Sequence, residues 1–265
     1  MENNQTETAR TFDKDTLDAI YCANKVAAGK DKYSRAIQGV FYDAENGVLV
    51  GTNGKRLHIV KVNRLVDDSC VFDAKQTFKA INSKKPKSKK GELQLIKNKC
   101  LQFAFENGTT IQAQLIDAKY PPYEQVIPRG FSCELTINKE SLKGLETYAK
   151  AEKKWVREAR RIKGMENYNP KLRFNFWNGD TTCKVTCIAL DGMVLELKSE
   201  TTFRDTIDTS FNPAYILDVI TCIKRLGIKD DLVVTFTGKN RWGHARPCVL
   251  EAGNFKAVIM PYITS

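Results

Sequence analysis

The stretch GTNGKRL at residues 51–57 follows the apolar run Val48–Val50 and leads into a second apolar run, Leu57–Val60. An Asn-Gly dipeptide between two such runs is a strong short-range indication of a β-hairpin. The chain ends in another apolar stretch, VIMPY at residues 258–262, which predicts a strand. Taken singly, each is an ordinary feature of an antiparallel sheet.

A strand-like run that ends in an apolar residue followed by Asp or Asn occurs four times, at intervals of about 60 to 75 residues. Each Asp or Asn suits a helix N-cap, because its side-chain oxygen can accept a hydrogen bond from the unpaired amides of the first turn. The four pairs are Phe12-Asp13, Phe72-Asp73, Ile137-Asn138 and Phe211-Asn212. The sequence therefore predicts one structural unit used four times.

Strand-like runs separated by turn dipeptides follow each predicted helix. Asn-Gly or Asp-Gly pairs stand at residues 46–47, 107–108, 178–179 and 191–192, between β-forming residues. Each repeat is thus a βαβββ unit, and two repeats make a domain in which two helices pack on antiparallel sheets. The predicted fold is α+β with two such domains, residues 1–129 and 130–265.

The composition favours a cytoplasmic protein with a polyanionic partner. No run of about 18 apolar residues occurs, and the first residues lack the pattern of a secretory signal. The formal net charge of +11 favours nucleic acid over anionic lipid as the partner, although solvated surface lysines would give the same excess. Two basic runs, 84–90 and 153–163, are either binding surfaces or solvated ones, and the second either extends the third helix or begins a loop.

Catalytic and metal chemistry find little support. The eight cysteines lack the paired spacing of a zinc site, and the only histidines are His58 and His244, so we expect no metal and no cofactor. A phosphate-binding loop at Gly54-Lys55 is disfavoured, because Leu49 and Arg56 stand where it needs Gly and Ser or Thr. We expect no enzymatic activity, although carboxylates distant in sequence leave a nuclease open.

Four segments, in order along the chain, resemble the family of the bacterial DNA polymerase III beta subunit, the replicative sliding clamp. GTNGKRL resembles its Thr-Asp-Gly-His-Arg-Leu segment, and YPPYEQVIP at 120–128 resembles its Phe-Pro-x-Tyr-x-x-Val-hydrophobic-Pro segment between domains. FNPAYILD at 211–218 resembles its Phe-Asn-x-x-Tyr-hydrophobic-Leu-Asp segment, and VIMPY its terminal Val-Met-Pro-Met. Members carry three similar domains, and the resemblance covers the second and third.

The resemblance implies a processivity factor, not an enzyme. Such a clamp encircles duplex DNA and tethers the polymerase, so lysines on helices facing the hole need only weak phosphate contacts that read no bases. Solvated helix faces are the alternative for each residue taken alone. The expected DNA-binding residues are Lys25, Lys75, Lys79, Lys143, Lys150, Lys224 and Arg225.

The resemblance also implies a partner-binding pocket between the two domains, where hydrophobic linear motifs of the polymerase, the clamp loader or repair proteins insert. Asn53 and Lys55 replace the family's usual Asp and His, so the preferred peptide is expected to differ. The alternative is that Leu57, Val126 and Val258 are simply core residues. The positions that match the pocket are Ile37, Thr52, Gly54, Arg56, Leu57, Pro121, Val126, Asn212, Tyr215, Val258, Met260 and Pro261.

Clamps of this family close with six domains, so two domains per chain imply a homotrimeric ring. Two alternatives remain at this point. The chain is an incomplete clamp relative, acting as a monomer or with a full-length partner, or it is a non-ring DNA-binding or clamp-regulating module.

Overall fold

A computed structural model of the chain describes residues 8–28, 34–84, 88–97, 99–130, 133–166, 168–199, 202–238 and 246–262. Contacts within the chain divide it into two units, Met1–Tyr123 and Glu124–Ser265. Each unit contains the order βαβββ twice. The α+β class and the fourfold repeat predicted from the sequence are confirmed.

The first unit has two rows of antiparallel strands, ordered β1-β6-β7-β8 and β5-β2-β3-β4. The strand that precedes each helix therefore pairs with the strands of the other repeat. The elements are β1 (Arg10–Phe12), α1 (Lys14–Asn24), β2 (Val40–Asp43), β3 (Val48–Thr52), β4 (Arg56–Lys61), β5 (Cys70–Phe72), α2 (Ala74–Lys84), β6 (Gly91–Ile96), β7 (Cys100–Phe105) and β8 (Thr110–Gln114).

In the second unit, too, the strand that precedes each helix pairs with the strands of the other repeat. Its antiparallel rows are ordered β12-β11-β10-β13 and β16-β15-β14-β9. Its first helix, α3, is much longer than the other α-helices of the described ranges. The elements are β9 (Cys133–Ile137), α3 (Lys139–Ala159), β10 (Leu172–Phe176), β11 (Thr182–Thr186), β12 (Leu195–Lys198), β13 (Ile207–Phe211), α4 (Pro213–Arg225), β14 (Leu232–Phe236), β15 (Cys248–Ala252) and β16 (Phe255–Ile259).

All four predicted N-caps are confirmed. Asp13 accepts a hydrogen bond from the backbone N of Thr16, and Asp73 accepts one from Gln76. Asn138 and Asn212 do the same for the first turns of α3 and α4. Because each cap follows directly on a strand, the polypeptide turns at the same point in every repeat, and each helix starts with its first-turn amides partly satisfied.

Aromatic side chains fill the interior of both units. In the first unit the ring of Phe12 meets Phe103 and Phe105 edge to face, at centroid distances of 5.5 and 5.1 Å. In the second, Phe176 contacts Phe203 and Phe236 at 4.2 and 5.1 Å. Edge-on aromatic pairs stabilise a fold beyond their buried area, by about 0.5–1.5 kcal/mol each.

Candidate functional site

The hairpin turn between β3 and β4 is held by its own side chains. The Thr52 hydroxyl donates to the backbone O of Arg56 at 2.8 Å and accepts from the N of Gly54 at 3.1 Å. Asn53 Oδ1 accepts from the backbone N of Lys55 and of Arg56 at 3.1 and 3.2 Å. Gly54 has φ = 77°, in the left-handed region that favours glycine. Side-chain hydrogen bonds therefore fix the shape of the turn, and Asn53, which is not among the predicted site residues, supplies two of them.

Gly51 lets this hairpin lie directly against the end of α1. A Cβ atom at Gly51 would stand 1.9 Å from the backbone O of Ala23, so no larger residue fits there. The backbone N of Ala28 lies 2.8 Å from the O of Ile37 and 3.1 Å from the O of Thr52. The chain after α1 thus brings the backbone of Ile37 beside the start of the turn.

The predicted residues of the turn differ in exposure. Gly54 is exposed, Arg56 and Thr52 are half-buried, and Leu57 is only 2% exposed. His58, the next residue of β4, is completely buried, with Nδ1 2.9 Å from the backbone O of Cys22. Thr52, Gly54 and Arg56 therefore offer the accessible part of this surface, whereas Leu57 and His58 lie in the interior.

The segment that follows β8 is anchored to the first unit by two tyrosines. The ring of Tyr120 stacks on Phe41 at 4.8 Å, and Tyr123 Oη donates to Asp43 Oδ2 at 2.9 Å. Burial alone would raise the pKa of Asp43, but hydrogen bonds from Asn46, Tyr123 and backbone amides hold it below its usual value. These contacts fix the segment around Pro121, whose ring is exposed.

In the second unit the chain end returns to β13. The backbone N of Tyr262 donates to the O of Ser210 at 2.8 Å. Burial raises the pKa of Tyr262, Tyr215 raises it further, and a hydrogen bond with Asn212 opposes them. The structure thus brings Asn212 and Tyr215 to the terminal segment, although Asn212 is already engaged as the cap of α4.

The apolar positions of the second unit fall into two groups. Val258 is buried, at 4% exposure, as a core residue would be. Val126 and Met260 are 57% and 47% exposed, so they are not core residues within the chain. Val126 lines an open depression of about 400 Å³ together with Pro128, Arg246 and Pro247. Exposed apolar side chains of this kind suit capture of a hydrophobic partner.

The predicted DNA-binding residues of the first unit lie on its two helices. Lys25 follows α1, with Nζ 5.8 Å from the centre of the Tyr21 ring, and Tyr21 in turn meets Phe78 of α2 edge-on at 5.7 Å. Lys75 and Lys79 are exposed and one turn apart on α2, so they share a face.

In the second unit a carboxylate joins two of the predicted cations. Lys150 Nζ lies 2.8 Å from Glu146 Oε1, and Lys224 of α4 pairs with Oε2 of the same residue. Hydrogen bonds from Lys150 and then Lys224 lower the pKa of Glu146. The structure therefore places the cations of α3 and α4 side by side, and Glu146 neutralises part of their charge. Lys143 and Arg225 are exposed on the same two helices.

Metal-binding clusters and membrane-spanning helices are both absent from the described ranges. That part of the chain holds no group of three or more His, Cys, Asp or Glu residues that could bind a metal ion, and His244 lies outside it. None of its helices is both long enough and apolar enough to cross a membrane.

No family model matches the sequence. No curated protein matches it either. Solved structures do match the chain, and this chain spans about two thirds of the length of each of those described below. The DNA polymerase sliding clamp of Bacillus subtilis superposes with a TM-score of 0.74 at 16% identity, over 100% of this chain and 66% of the clamp. This chain has the fold of the bacterial sliding clamps.

Two further clamps give the same result. The DNA polymerase III beta subunit of Thermotoga maritima matches with a TM-score of 0.69 at 17% identity, over 100% of this chain and 68% of its own. The C. crescentus beta sliding clamp, which holds polyethylene glycol at a proposed β-motif tethering region, matches at 0.71 and 18%, over 100% and 67%. The predicted resemblance to part of a clamp subunit is confirmed at the level of fold.

The basic run 153–163 is helical through Ala159 and continues as a turn from Arg160. Helix α3 continues through Ala159, so Lys153, Lys154 and Arg157 are helical, and all three are exposed. The sequence left helix or loop open for this run. The signal that could have decided it is the continued apolar spacing at Val156 and Ala159, both buried.

Proposed function

We propose that this protein is a DNA sliding clamp, a processivity factor that encircles duplex DNA and tethers DNA polymerase and other replication or repair proteins. The clamp fold over the whole chain is the observation that carries the proposal. It is supported by exposed cations on the helices of both units. The function needs no bond chemistry, because a closed ring retains DNA by topology.

The helix residues act through phosphate contacts that are individually weak. A clamp must slide, so its cations should screen the DNA backbone without binding any base. Lys75 and Lys79 of α2, Lys143 of α3 and Arg225 of α4 are exposed, which supports this role. Lys150 and Lys224 contribute with reduced net charge, since they share Glu146.

The residues proposed for tethering are considered in each unit by itself. In the first unit, the hairpin turn offers Thr52, Gly54 and Arg56, and side-chain hydrogen bonds hold the turn. In the second unit, Met260 offers an exposed, adaptable side chain, and Val126 is a second exposed apolar anchor. Polar groups of the first kind and apolar anchors of the second kind both suit recognition of a hydrophobic linear motif from polymerase or clamp loader.

The ring is proposed to contain three copies. The 265 residues fold into two clamp units, and a closed ring of six such units takes three copies related by a threefold axis. The mass of the particle in solution tests this directly. A particle of one chain at micromolar concentration would exclude the trimer.

Topological capture tests the function without a loader. The protein is diluted until it dissociates and is then concentrated in the presence of nicked circular DNA or of linear DNA of equal length. We expect retention on the circle that resists high salt and is lost when a restriction enzyme cuts it. Equal retention on circular and linear DNA would instead support a non-ring DNA-binding module, because binding would then depend on phosphate contacts alone.

The tethering site is tested by placing a charge on an exposed apolar anchor. Met260→Lys should weaken binding of a fluorescent peptide from the clamp-binding segment of a bacterial replicative polymerase by about tenfold or more, because an anchor lost from an interface costs about 2 kcal/mol. Met193→Lys is the matched control, since Met193 is 56% exposed and Met260 47%. Equal affinities for the two variants would remove Met260 from the site.

A further inference from the structure

Helix α3 is longer than its three counterparts. It has 21 residues, whereas α1 and α2 have 11 each and α4 has 13. At about 1.5 Å per residue, α3 exceeds its partner α4 by about 12 Å. The additional residues lie after Lys150, in the second half of the helix, and the packing of the unit has to account for them.

This second half is firmly packed on one side. Glu152, Val156 and Ala159 are buried. Both carboxylate oxygens of Glu152 are used, Oε1 by the backbone N of Lys171 at 3.2 Å and Oε2 by the N of Ala189 at 3.0 Å. A buried carboxylate satisfied by two backbone donors fixes the helix against the neighbouring loops.

The turn after the helix is also ordered. Trp155 meets the ring of Tyr168 edge-on at 5.1 Å, and Arg160 Nε donates to the backbone O of Tyr168 at 3.1 Å. Arg160 therefore has an internal structural role. The extension of α3 is an integral part of the unit, so its outer face has a defined position.

That outer face is a basic stripe, formed by Lys143, Lys150, Lys154 and Arg157. The spacings of seven, four and three residues keep these side chains on one side of a helix, opposite the buried residues. All four are exposed, and they extend over about 21 Å of the axis. Arg161, also exposed, follows in the turn after the helix.

We define the distal cluster as Lys154, Arg157 and Arg161, and ask whether other residues of the described ranges neutralise its charge. Within the residues that the structure describes, none of the three has a carboxylate partner, whereas Arg10 and Arg64 of the first unit both pair with Asp67. The one exposed acidic residue on this half of α3 is Glu158.

The helix dipole does not account for the stripe either. Cations near a helix C-terminus are stabilised only within the last turn. Of the stripe residues only Arg157 lies in the last turn of α3, so the dipole does not explain Lys143, Lys150 or Lys154. Cations held on a rigid surface without internal partners are typical of a site for an external polyanion. Phosphate groups along a DNA backbone match a linear arrangement of this length better than a compact acidic peptide does.

We propose that the distal cluster binds the phosphate backbone of duplex DNA on its own account, so that this protein holds DNA even where no ring is closed. The inference rests on the proposed function for the choice of DNA as the polyanion. It adds a contact at the end of α3 to the predicted ones at Lys143 and Lys150. The contact is electrostatic and independent of base sequence.

The test compares two triple variants of the full chain on a 20-base-pair linear duplex, which no ring can retain. One is Lys154→Gln, Arg157→Gln, Arg161→Gln, in which Gln keeps helix propensity and removes three charges. The matched control, Lys119→Gln, Lys198→Gln, Lys229→Gln, removes three charges from exposed lysines outside the helices. Circular dichroism and thermal melting verify that both are folded.

We expect the cluster variant to bind more weakly, with a salt slope of log K lower by about two to three, since each phosphate contact contributes about 0.9. Between 50 and 200 mM salt the wild type should lose about 20- to 60-fold more affinity than the variant. The control should keep the wild-type slope. Equal salt slopes for all three proteins would overturn the inference. The inference would also fail if the cluster variant bound polyglutamate more weakly but bound DNA as the wild type does, because the cluster would then be a site for an acidic protein.

Topological capture separates this inference from the proposed function. If the cluster variant loses linear-duplex binding but neither protein is retained on circles, the DNA site stands and the clamp function fails. If both proteins are retained on circles and bind linear duplex equally, the clamp function stands and the inference fails.

Discussion

The two units repeat one architecture but join their helices by different chemistry. In the first unit, Tyr21 of α1 meets Phe78 of α2 edge-on at 5.7 Å. In the second, Glu146 of α3 pairs with Lys224 of α4 and with Lys150 of its own helix. In both units the strand order is the same, and the first strand of each repeat pairs with the strands of the other repeat. The scaffold thus determines where the helices lie, while the contact between them is free to vary.

The difference has a functional side. An aromatic contact is insensitive to salt, whereas exposed ion pairs weaken as ionic strength rises. The ionic contact also involves two of the lysines proposed to contact phosphate, and Glu146 neutralises part of their charge. Under the proposed function, a change in the contact between α3 and α4 would change DNA binding by the second unit. A change in the aromatic contact between α1 and α2 would not have this effect in the first.

The units also differ in how much space there is beside a glycine where a helix packs on a strand. Gly51 of β3 touches the backbone of Ala23, so Gly51→Ala places a Cβ atom 1.9 Å from a carbonyl oxygen that cannot move aside. A Cβ atom added at Gly144 of α3 would meet only the end of the Leu195 side chain, at 2.9 Å from Cδ1. Leu195 is half-buried and can shift.

We therefore expect Gly51→Ala to lower the free energy of unfolding by about 3 kcal/mol or more, the upper range for forced overpacking. Gly144→Ala should change it by less than about 1 kcal/mol, because the helix propensity gained from Ala offsets the displaced Leu195. Urea denaturation monitored by circular dichroism measures both. Similar losses for the two would show that Leu195 cannot move aside and that the packing around Gly144 is as tight as that around Gly51.

Local chemistry made much of this fold predictable from the sequence. The N-caps at Asp13, Asp73, Asn138 and Asn212 act over three residues or fewer, so their residue types were sufficient to locate all four helix starts. Asn-Gly and Asp-Gly turns likewise depend on two residues. These signals gave the βαβββ order without any tertiary information.

Features set by distant parts of the chain escaped prediction. The pairing of β1 with β6 and of β5 with β2 joins different repeats, and no local pattern encodes it. The same holds for the candidate sites. Met260 and Val258 are both apolar and two residues apart, yet one is exposed and the other buried, because strand β16 ends at Ile259. The shared carboxylate of Glu146 depends on the packing of α3 against α4, which the sequence left open.

The smallest expected effect tests the ionic contact itself. Glu146→Gln should lower the free energy of unfolding by about 0.5 kcal/mol at low salt and by less at high salt, since both lysines are more than half exposed. Phe78→Ala, its counterpart in the first unit, should cost about 2 kcal/mol at any salt concentration.

The pH dependence of the Glu146 contact has a definite sign. Because the pKa of Glu146 is lowered in the folded protein, its contribution is present above the ordinary glutamate pKa of 4.5 and is lost as the pH falls through the folded pKa. The wild type should therefore lose part of its stability below about pH 4.5, and Glu146→Gln should lose less over the same range. The same variant frees Lys150 and Lys224, so its affinity for short duplex DNA should rise. Unchanged DNA affinity, with the expected loss of stability, would mean that the helix contact and the DNA surface of the second unit are separate.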